Sequence, residues 1–341
     1  MERRFIPIAV LSLVIAALVT GGSVWFSHSQ QVVVEQQRFT GKVAGESDDK
    51  TEPVIVERRD ASSEFKPLKK EGYGSFAVPT AHSAIILDAA TGVPLYEKGA
   101  DDRRAIASIT KLMTTMIAVE SAKDLDEPVT IPEEAVYAEG TRVGCPRSGY
   151  CISERLHVGE QVSVRNLLKA ALMNSANDAA ISLAVHVSGS QQKFADKMNA
   201  RAAELGLENT RFCTPSGLEL DDPVAEENCY SSARDVAKIA AYALRYDVLW
   251  KTMCTEKTFI SSVDGKFEHE VFNTDELLGA YPNLVGTKTG FTPRAGYSLM
   301  AVAKDPTAGK HTLIAVVLDD SARWQSIQQM LSWGFGSYEW R

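Results

Sequence analysis

Residues 284–318 read LVGTKTGFTPRAGYSLMAVAKDPTAGKHTLIAVVL and contain three apolar runs separated by short polar segments. The runs Leu284–Thr289, Gly296–Ala303 and His311–Leu318 are rich in β-branched and small apolar residues, which is typical of strands. The stretch therefore predicts three successive strands near the end of the chain.

Before these strands, the sequence predicts helices in the middle of the chain and a strand hairpin at residues 83–98, around the turn Ala90-Thr91-Gly92. A last helix is expected at Ser321–Gly334. Strands at both ends with helices between them do not alternate as βαβ units. The order predicts an α+β fold: one antiparallel sheet of about five strands, packed by helices, with an inserted and mostly helical subdomain. The first and last strands are expected to join in that sheet.

The remaining elements follow from helical and strand-like periodicity. Helices are predicted at Ser108–Ala122, Val164–Asn174, Asp178–Val187, Gln191–Leu205 and Ser231–Met253, and a second hairpin at Thr258–Phe272.

The N-terminus carries a segment suited to a membrane. Arg3 and Arg4 precede a run without charge from Phe5 to Phe26, and roughly 20 apolar residues can span a bilayer. Positive charge before the run predicts an N-terminus on the cytoplasmic side. We expect a retained anchor, with a cleaved signal segment as the alternative. The expected organisation is an anchor or signal at 1–29, a charged linker at 30–77 and one catalytic domain at 78–341.

Composition excludes one class of function and leaves the cysteines to be explained. The net charge of -8 gives no basic stripe for nucleic acid.

All five cysteines follow the uncharged N-terminal run, on the side of the membrane where an oxidising compartment favours disulfides. A local Cys145–Cys151 bridge is the simplest pairing and Cys213–Cys229 the second, which leaves Cys254 unpaired. Metal binding is the weaker alternative, because no metal-ligand spacing occurs.

The pattern Ser-x-x-Lys occurs four times, beginning at Ser47, Ser63, Ser108 and Ser190. Of these serines, Ser108 opens a strongly apolar helix directly after the hairpin. Residues three apart share a helix face, so the Lys111 amine can reach the Ser108 hydroxyl and, if desolvated, accept its proton. The alternative is an N-cap serine followed by a surface lysine.

Two further polar groups interrupt apolar elements. Ser175-Ala176-Asn177 separates two helical stretches, and its plain interpretation is a helix–helix turn. Lys288-Thr289-Gly290 lies in a predicted strand, where flanking glycines often mark close approach of a ligand. Lys288 could grip a carboxylate and also depress the pKa of Lys111. The plain interpretation of this group is a turn with an exposed lysine.

In this order, the three groups resemble those of penicillin-binding proteins and β-lactamases. The chain is similar in particular to low-molecular-weight penicillin-binding proteins that act as serine-type D-Ala-D-Ala carboxypeptidases, over about residues 80–338. The likeness extends to Leu87-Asp-Ala-Ala-Thr-Gly, Asn209-Thr-Arg-Phe and Pro215-Ser-Gly-Leu.

The resemblance implies a role for each site residue. Ser108 would form the acyl-enzyme, Lys111 would accept its proton and Ser175 would relay a proton to the leaving amine. The substrate-binding residues would be Asn177, Lys288, Thr289, Gly290 and Phe291, with the backbone N–H groups of Ser108 and Phe291 as the oxyanion hole.

The resemblance also implies partners and place. The substrate would be peptidoglycan peptide, β-lactams would be covalent inhibitors, no metal or other cofactor would be needed, and the enzyme would act on the extracytoplasmic face of the membrane. Three alternatives stay open: a DD-endopeptidase on cross-linked peptides, a β-lactamase and a non-catalytic penicillin-binding sensor. Against a β-lactamase, Ala176 stands where class A enzymes commonly carry Asp. The Cys145–Cys151 loop departs from the family pattern and leaves the shape of the cleft open.

Overall fold

A computed structural model describes residues 65–341, except 147–149, 221, 223, 225–226 and 308. All of these residues belong to the second of the two units into which the chain divides, Val54–Arg341. The predicted anchor at 1–29 and most of the predicted linker at 30–77 lie outside the described residues. Within the described ranges, no helix has both the length and the apolar character that crossing a membrane requires.

The strands in chain order are β1 (Pro67–Lys69), β2 (Ala81–Asp88), β3 (Pro94–Lys98), β4 (Pro128–Thr130), β5 (Gln161–Ser163), β6 (Lys257–Ser261), β7 (Glu268–Phe272), β8 (Leu284–Thr292), β9 (Gly296–Lys304), β10 (Thr312–Asp320) and β11 (Tyr338–Trp340). The helices are α1 (Lys111–Ser121), α2 (Glu133–Val136), α3 (Val164–Met173), α4 (Asn177–Ser188), α5 (Gln191–Glu204), α6 (Ala233–Ala243), α7 (Asp247–Met253) and α8 (Arg323–Ser337), and a 3₁₀ turn at Ala107–Thr110 precedes α1.

One sheet of five antiparallel strands organises the fold, in the order β3-β2-β10-β9-β8. β2 near the start of the described chain pairs with β10 near its end, with Ile85 opposite Val316. The predicted α+β fold, the number of strands and the joining of first and last strands are confirmed.

Both faces of the sheet are covered, and the middle residues of β2, β9 and β10 are buried on both faces. Ile85 and Val316 belong to the larger core, on the face where α6 packs against β2 and β10, whereas Ile86 and Ala315 belong to a second core beneath α8. Alternate residues of a strand point to opposite faces. Each large aliphatic side chain contributes about 1.5–3 kcal/mol on burial, so both layers stabilise the strand that carries the 288–290 motif.

The predicted helix at Ser231–Met253 is wrong as a single element. It is divided into α6 and α7, and Tyr246 between them has a non-helical backbone. Because the chain turns back, the Trp250 indole N–H donates to the Ala243 carbonyl at 2.8 Å. This bond satisfies one of the carbonyl groups that a helix end leaves unpaired.

Ordered structure begins before the predicted boundary at Val78. Within the segment predicted as linker, β1 pairs with β11, and the Lys66 N–H donates to the Arg341 carbonyl at 2.9 Å. A three-residue strand has no apolar period for sequence analysis to detect, and it depends on its distant partner. The same reason explains the two-stranded sheet of β4 and β5, which lies between the predicted helices at Ser108–Ala122 and Val164–Asn174, where no element was predicted.

His269 on β7 ties the β6–β7 hairpin to the segment that precedes β5. The ring is fully buried; its Nε2 lies 2.8 Å from Glu160 Oε1 and its Nδ1 lies 3.0 Å from the Glu154 carbonyl. Both partners are acceptors, so the ring donates at both nitrogens as an imidazolium. Burial by itself lowers the pKa of His269, but the bonds to Glu160 and Glu154 outweigh it and raise the pKa above 6.5.

This pair predicts a stability loss at alkaline pH. When the pKa of a group is raised in the folded state, its stabilisation is complete below the unfolded-state pKa. That stabilisation is lost as the pH rises through the folded-state pKa. The advantage of wild type over His269→Gln in free energy of unfolding should therefore shrink by roughly 1–2 kcal/mol from pH 6 to pH 9. Urea denaturation at both pH values measures it, with His311→Gln as the control. A constant difference across this range would contradict the charged pair.

Candidate active site

Ser108 lies on a tight 3₁₀ turn that two glycines allow to pack closely. The preceding residue, Ala107, has φ 47°, a strained value for a residue with a side chain. A Cβ added to Gly217 would lie 2.0 Å from the Ala107 carbonyl oxygen, and one added to Gly290 would lie 2.6 Å from the Ile106 carbonyl oxygen. The turn is thus held between the 217 segment and β8, with Ser108 half-buried at its centre.

Lys111 is fully buried in the first turn of α1. Its Nζ lies 2.8 Å from Ser108 Oγ and donates to the Ser216 carbonyl at 2.8 Å. Burial, and then the charge of Lys288, hold the pKa of Lys111 well below its usual value, while Asp178 acts in the opposite direction. The amine reaches the serine hydroxyl as predicted, and its lowered pKa favours the free base that can accept a proton.

Ser175 lies in the turn between α3 and α4 with φ 57°. Its carbonyl accepts a hydrogen bond from Thr141 Oγ1 at 2.7 Å, and the Ala176 N–H donates to the Ala170 carbonyl at 3.1 Å. These bonds fix a left-handed backbone that aims the Ser175 hydroxyl at Lys288.

Lys288 is buried in β8 and faces the same space. Its Nζ donates to Ser175 Oγ and to the Thr289 carbonyl, each at 3.0 Å. Burial, and then the Arg323 guanidinium, lower the pKa of Lys288 to about 7, against the opposing charge of Asp275. The Lys288 amine thus lies near the Arg323 guanidinium in a place removed from water, and an anionic ligand there would stabilise its charged form.

The other predicted residues line this site at different depths. Asn177 is buried; its Nδ2 donates to the Glu139 carbonyl at 2.7 Å, and its Oδ1 has no hydrogen-bond partner among the described residues. Thr289 Oγ1 lies 3.1 Å from Thr274 Oγ1. Phe291 is half-exposed and stacks on Tyr297 with the ring centroids 4.6 Å apart.

The structure thus joins the second and third predicted motifs through the Lys288–Ser175 contact, and the close approach of Gly290 to Ile106 packs the third motif against the turn that carries Ser108. It adds residues that sequence analysis did not predict for the site: the Ser216 carbonyl, the Thr274 hydroxyl and Arg323, whose Nη1 donates to the Gly290 carbonyl at 3.1 Å. The Pro215-Ser-Gly-Leu segment resembles the family, but Ser216 contacts Lys111 through its backbone carbonyl. Every residue has such a carbonyl, so the residue type does not reveal the contact. Thr274 and Arg323 act from other elements, which only the fold brings close.

Both predicted disulfides are present and Cys254 is free. Cys213–Cys229 closes the segment that contains Ser216, so it anchors the carbonyl that holds Lys111. Cys145–Cys151 follows the 139–143 segment, in which the Val143 N–H donates to the buried Asp178 carboxylate at 3.1 Å. One disulfide therefore lies next to each of the two segments that support the site.

Comparison with known proteins places these features in a family. Residues 75–322 match the family described as D-alanyl-D-alanine carboxypeptidase. The chain is 35% identical over 267 residues to D-alanyl-D-alanine carboxypeptidase DacF of Bacillus subtilis, covering 76% of this chain and 63% of the relative. It is 34% identical over 240 residues to a D-alanyl-D-alanine endopeptidase of Pseudomonas aeruginosa, covering 70% of each. The match to DacF thus spans less than two thirds of that relative's length.

Among solved structures, the chain is similar to penicillin-binding protein D2 of Listeria monocytogenes in its ampicillin-bound form. The TM-score is 0.63 at 27% identity, covering 77% of this chain and 100% of the other. The predicted DD-peptidase-like fold is confirmed by this likeness.

The Cys213–Cys229 bridge predicts a measurable contribution to stability. Closing a loop with a sequence separation of 16 residues removes unfolded-state entropy worth about 3 kcal/mol. The double variant C213S/C229S should lower the free energy of unfolding by about that amount in urea denaturation. Cys254→Ser is the matched control and should stay within about 0.5 kcal/mol of wild type. An unchanged double variant would contradict the anchoring of the Ser216 segment.

Proposed function

The chain belongs to the D-alanyl-D-alanine carboxypeptidase family, and from this premise we propose that it removes the terminal D-alanine from peptidoglycan stem peptides through a serine acyl-enzyme. The observation that carries the proposal is the buried Lys111 amine, 2.8 Å from Ser108 Oγ. Serine is a poor nucleophile until a base takes its proton, and burial of this amine lowers its pKa and so favours the form that can act as that base.

Acylation follows from these contacts. Ser108 Oγ attacks the carbonyl between the two D-alanines and its proton passes to Lys111. The oxyanion that forms is stabilised by the backbone N–H groups of Ser108 and Phe291, donors worth about 2.7–4 kcal/mol each in comparable sites. When the C–N bond breaks, the proton that Lys111 accepted passes to the leaving amine through Ser175, whose hydroxyl contacts Lys288, and Lys111 is again a free base.

Water then attacks the acyl carbonyl and gives a proton to Lys111. When the bond between the carbonyl carbon and Ser108 Oγ breaks, Lys111 returns that proton to Oγ, which restores both side chains. Lys288 and Thr289 bind the terminal carboxylate of the peptide, and the unpaired Asn177 Oδ1 accepts from a substrate amide N–H. A buried acceptor without a partner is costly, so a peptide that supplies the missing donor gains affinity.

A second candidate function is DD-endopeptidase action on cross-linked peptides, which the Pseudomonas relative's name favours. The two activities use the same chemistry and differ in the group beyond the scissile bond. Release of free D-alanine from a pentapeptide, compared with cleavage of a cross-linked dimer, separates them. Faster cleavage of the dimer than of the pentapeptide would make endopeptidase action the main function.

β-Lactams are proposed as covalent inhibitors of the same serine, since the Listeria neighbour was solved with ampicillin bound.

We also propose that the domain works outside the cytoplasm, tethered by residues 5–26. Two disulfides support an oxidising compartment. Detection in the membrane fraction, and release into the soluble fraction on deletion of residues 1–29, tests the tether.

The central prediction concerns Ser108. A fluorescent penicillin should label the protein once, and Ser108→Ala should abolish labelling while circular dichroism stays unchanged. Mass spectrometry of the labelled peptide identifies the site. Ser190→Ala, which alters an N-cap at the start of α5, is the matched control and should label normally. Labelling of Ser108→Ala at the wild-type level would refute the assignment.

A second prediction concerns pH. The Lys288 charge lowers the pKa of Lys111, so Lys288→Met should raise it. Because only the unprotonated Lys111 accepts a proton, the acid limb of the acylation rate should move to higher pH. The limb should not move to higher pH in Lys288→Arg, which keeps a cation at this position. Penicillin acylation rates from pH 5 to pH 9 measure this, and an unmoved limb in Lys288→Met would count against the electrostatic link.

A further inference from the structure

Thr274 lies beside the strand that carries Lys288 but belongs to the turn that follows β7. Its Oγ1 lies 3.1 Å from Thr289 Oγ1, and its backbone N–H donates to the Met173 carbonyl at 3.0 Å. Met173 ends α3, two residues before Ser175. Thr274 therefore connects the Ser175 side of the site with the Thr289 side.

The turn is fixed by bonds that do not use the Thr274 hydroxyl. Asn273 Nδ2 donates to the carbonyls of Met253 and Thr255 at 2.7 and 2.9 Å, and the Leu277 N–H donates to Asp275 Oδ1 at 2.7 Å. The hydroxyl is thus presented to Thr289 by a backbone that would keep its place without it.

The direction of the hydrogen bond between the two hydroxyls matters for a bound anion. A hydroxyl has one hydrogen to donate and two lone pairs that accept, whereas a carboxylate only accepts. If Thr289 donates to Thr274, it turns a lone pair toward the carboxylate. If Thr274 donates to Thr289, the Thr289 hydrogen is free for the carboxylate. Thr289 is almost fully buried, so little water can compensate for the wrong direction.

We propose that Thr274 is a positioning residue for the substrate's terminal carboxylate: its hydroxyl donates to Thr289 and directs the Thr289 hydrogen toward the ligand. The inference rests on the proposed function, because it takes Thr289 as the contact of that carboxylate. It also explains why the turn after β7 is bonded to the end of α3: one short segment then sets both the Ser175 turn and the carboxylate site.

The test uses Thr274→Val, which removes the hydroxyl and keeps the shape, and Thr274→Ser, which keeps the hydroxyl. Two peptides are compared: a pentapeptide ending in D-Ala-D-Ala with a free carboxylate, and the same peptide with a terminal carboxamide. A misdirected hydrogen bond to a charged group should raise the KM of the carboxylate peptide about 10-fold in Thr274→Val, with kcat within about twofold. The carboxamide peptide should be affected little, and Thr274→Ser should be near wild type.

Thr258→Val on β6, which removes a threonine hydroxyl from an exposed hairpin, is the matched control and should behave as wild type. A wild-type KM in Thr274→Val would overturn the inference. So would an equal loss for both peptides, because a purely structural role does not distinguish the carboxylate from the carboxamide.

Failure of the proposed function is recognised separately, since wild-type protein would then release no D-alanine. In that case the penicillin acylation rate replaces peptide turnover, and a penicillin with a free carboxylate is compared with its methyl ester. If Thr274→Val lowers the acylation rate of the free acid and not that of the methyl ester, the positioning role is supported. If the rate changes equally for both compounds, the role is overturned.

Discussion

The site depends on keeping one amine out of water. Lys111 is buried between the serine that it serves and the Ser216 carbonyl, with the Lys288 charge nearby. Burial disfavours the charged form of an amine, and a second cation adds to this effect. The amine stays a base for as long as α1, the 217 segment and β8 keep water away, which explains why three separate elements converge on a single turn.

Much of this arrangement could be predicted from the sequence because it is local. Ser108 and Lys111 share one helical turn, so their spacing already implies contact. The apolar runs predicted the strands and the joining of the first and last of them, and spacing and compartment favoured the two disulfide pairings that the structure shows. In contrast, the split between α6 and α7 depends on Trp250 reaching back to Ala243, and β1 depends on β11. These are contacts between distant residues, and no local pattern encodes them.

The supporting contacts at the site are of this second kind. Ser216 and Glu139 act through backbone carbonyls, which every residue possesses, so their side chains give no sign of the role. The 139–143 and 216 segments lack regular structure, and the chain secures them instead by a disulfide close by. In these segments a disulfide supplies the restraint that backbone hydrogen bonds to a neighbouring strand would supply in a sheet.

The pairing of β1 with β11 has a topological consequence. The backbone at Lys66 is hydrogen-bonded to that at Arg341, so the described chain is almost a closed ring. A short linker between its two ends, combined with a cut in the exposed turn at residues 264–266, would give a circular permutant with the same sheet order. In that permutant Lys288 would precede Ser108 along the chain. The order of the three motifs along the chain therefore follows from the position of the chain ends. The chemistry depends only on the arrangement of Ser108, Lys111, Ser175 and Lys288 in space.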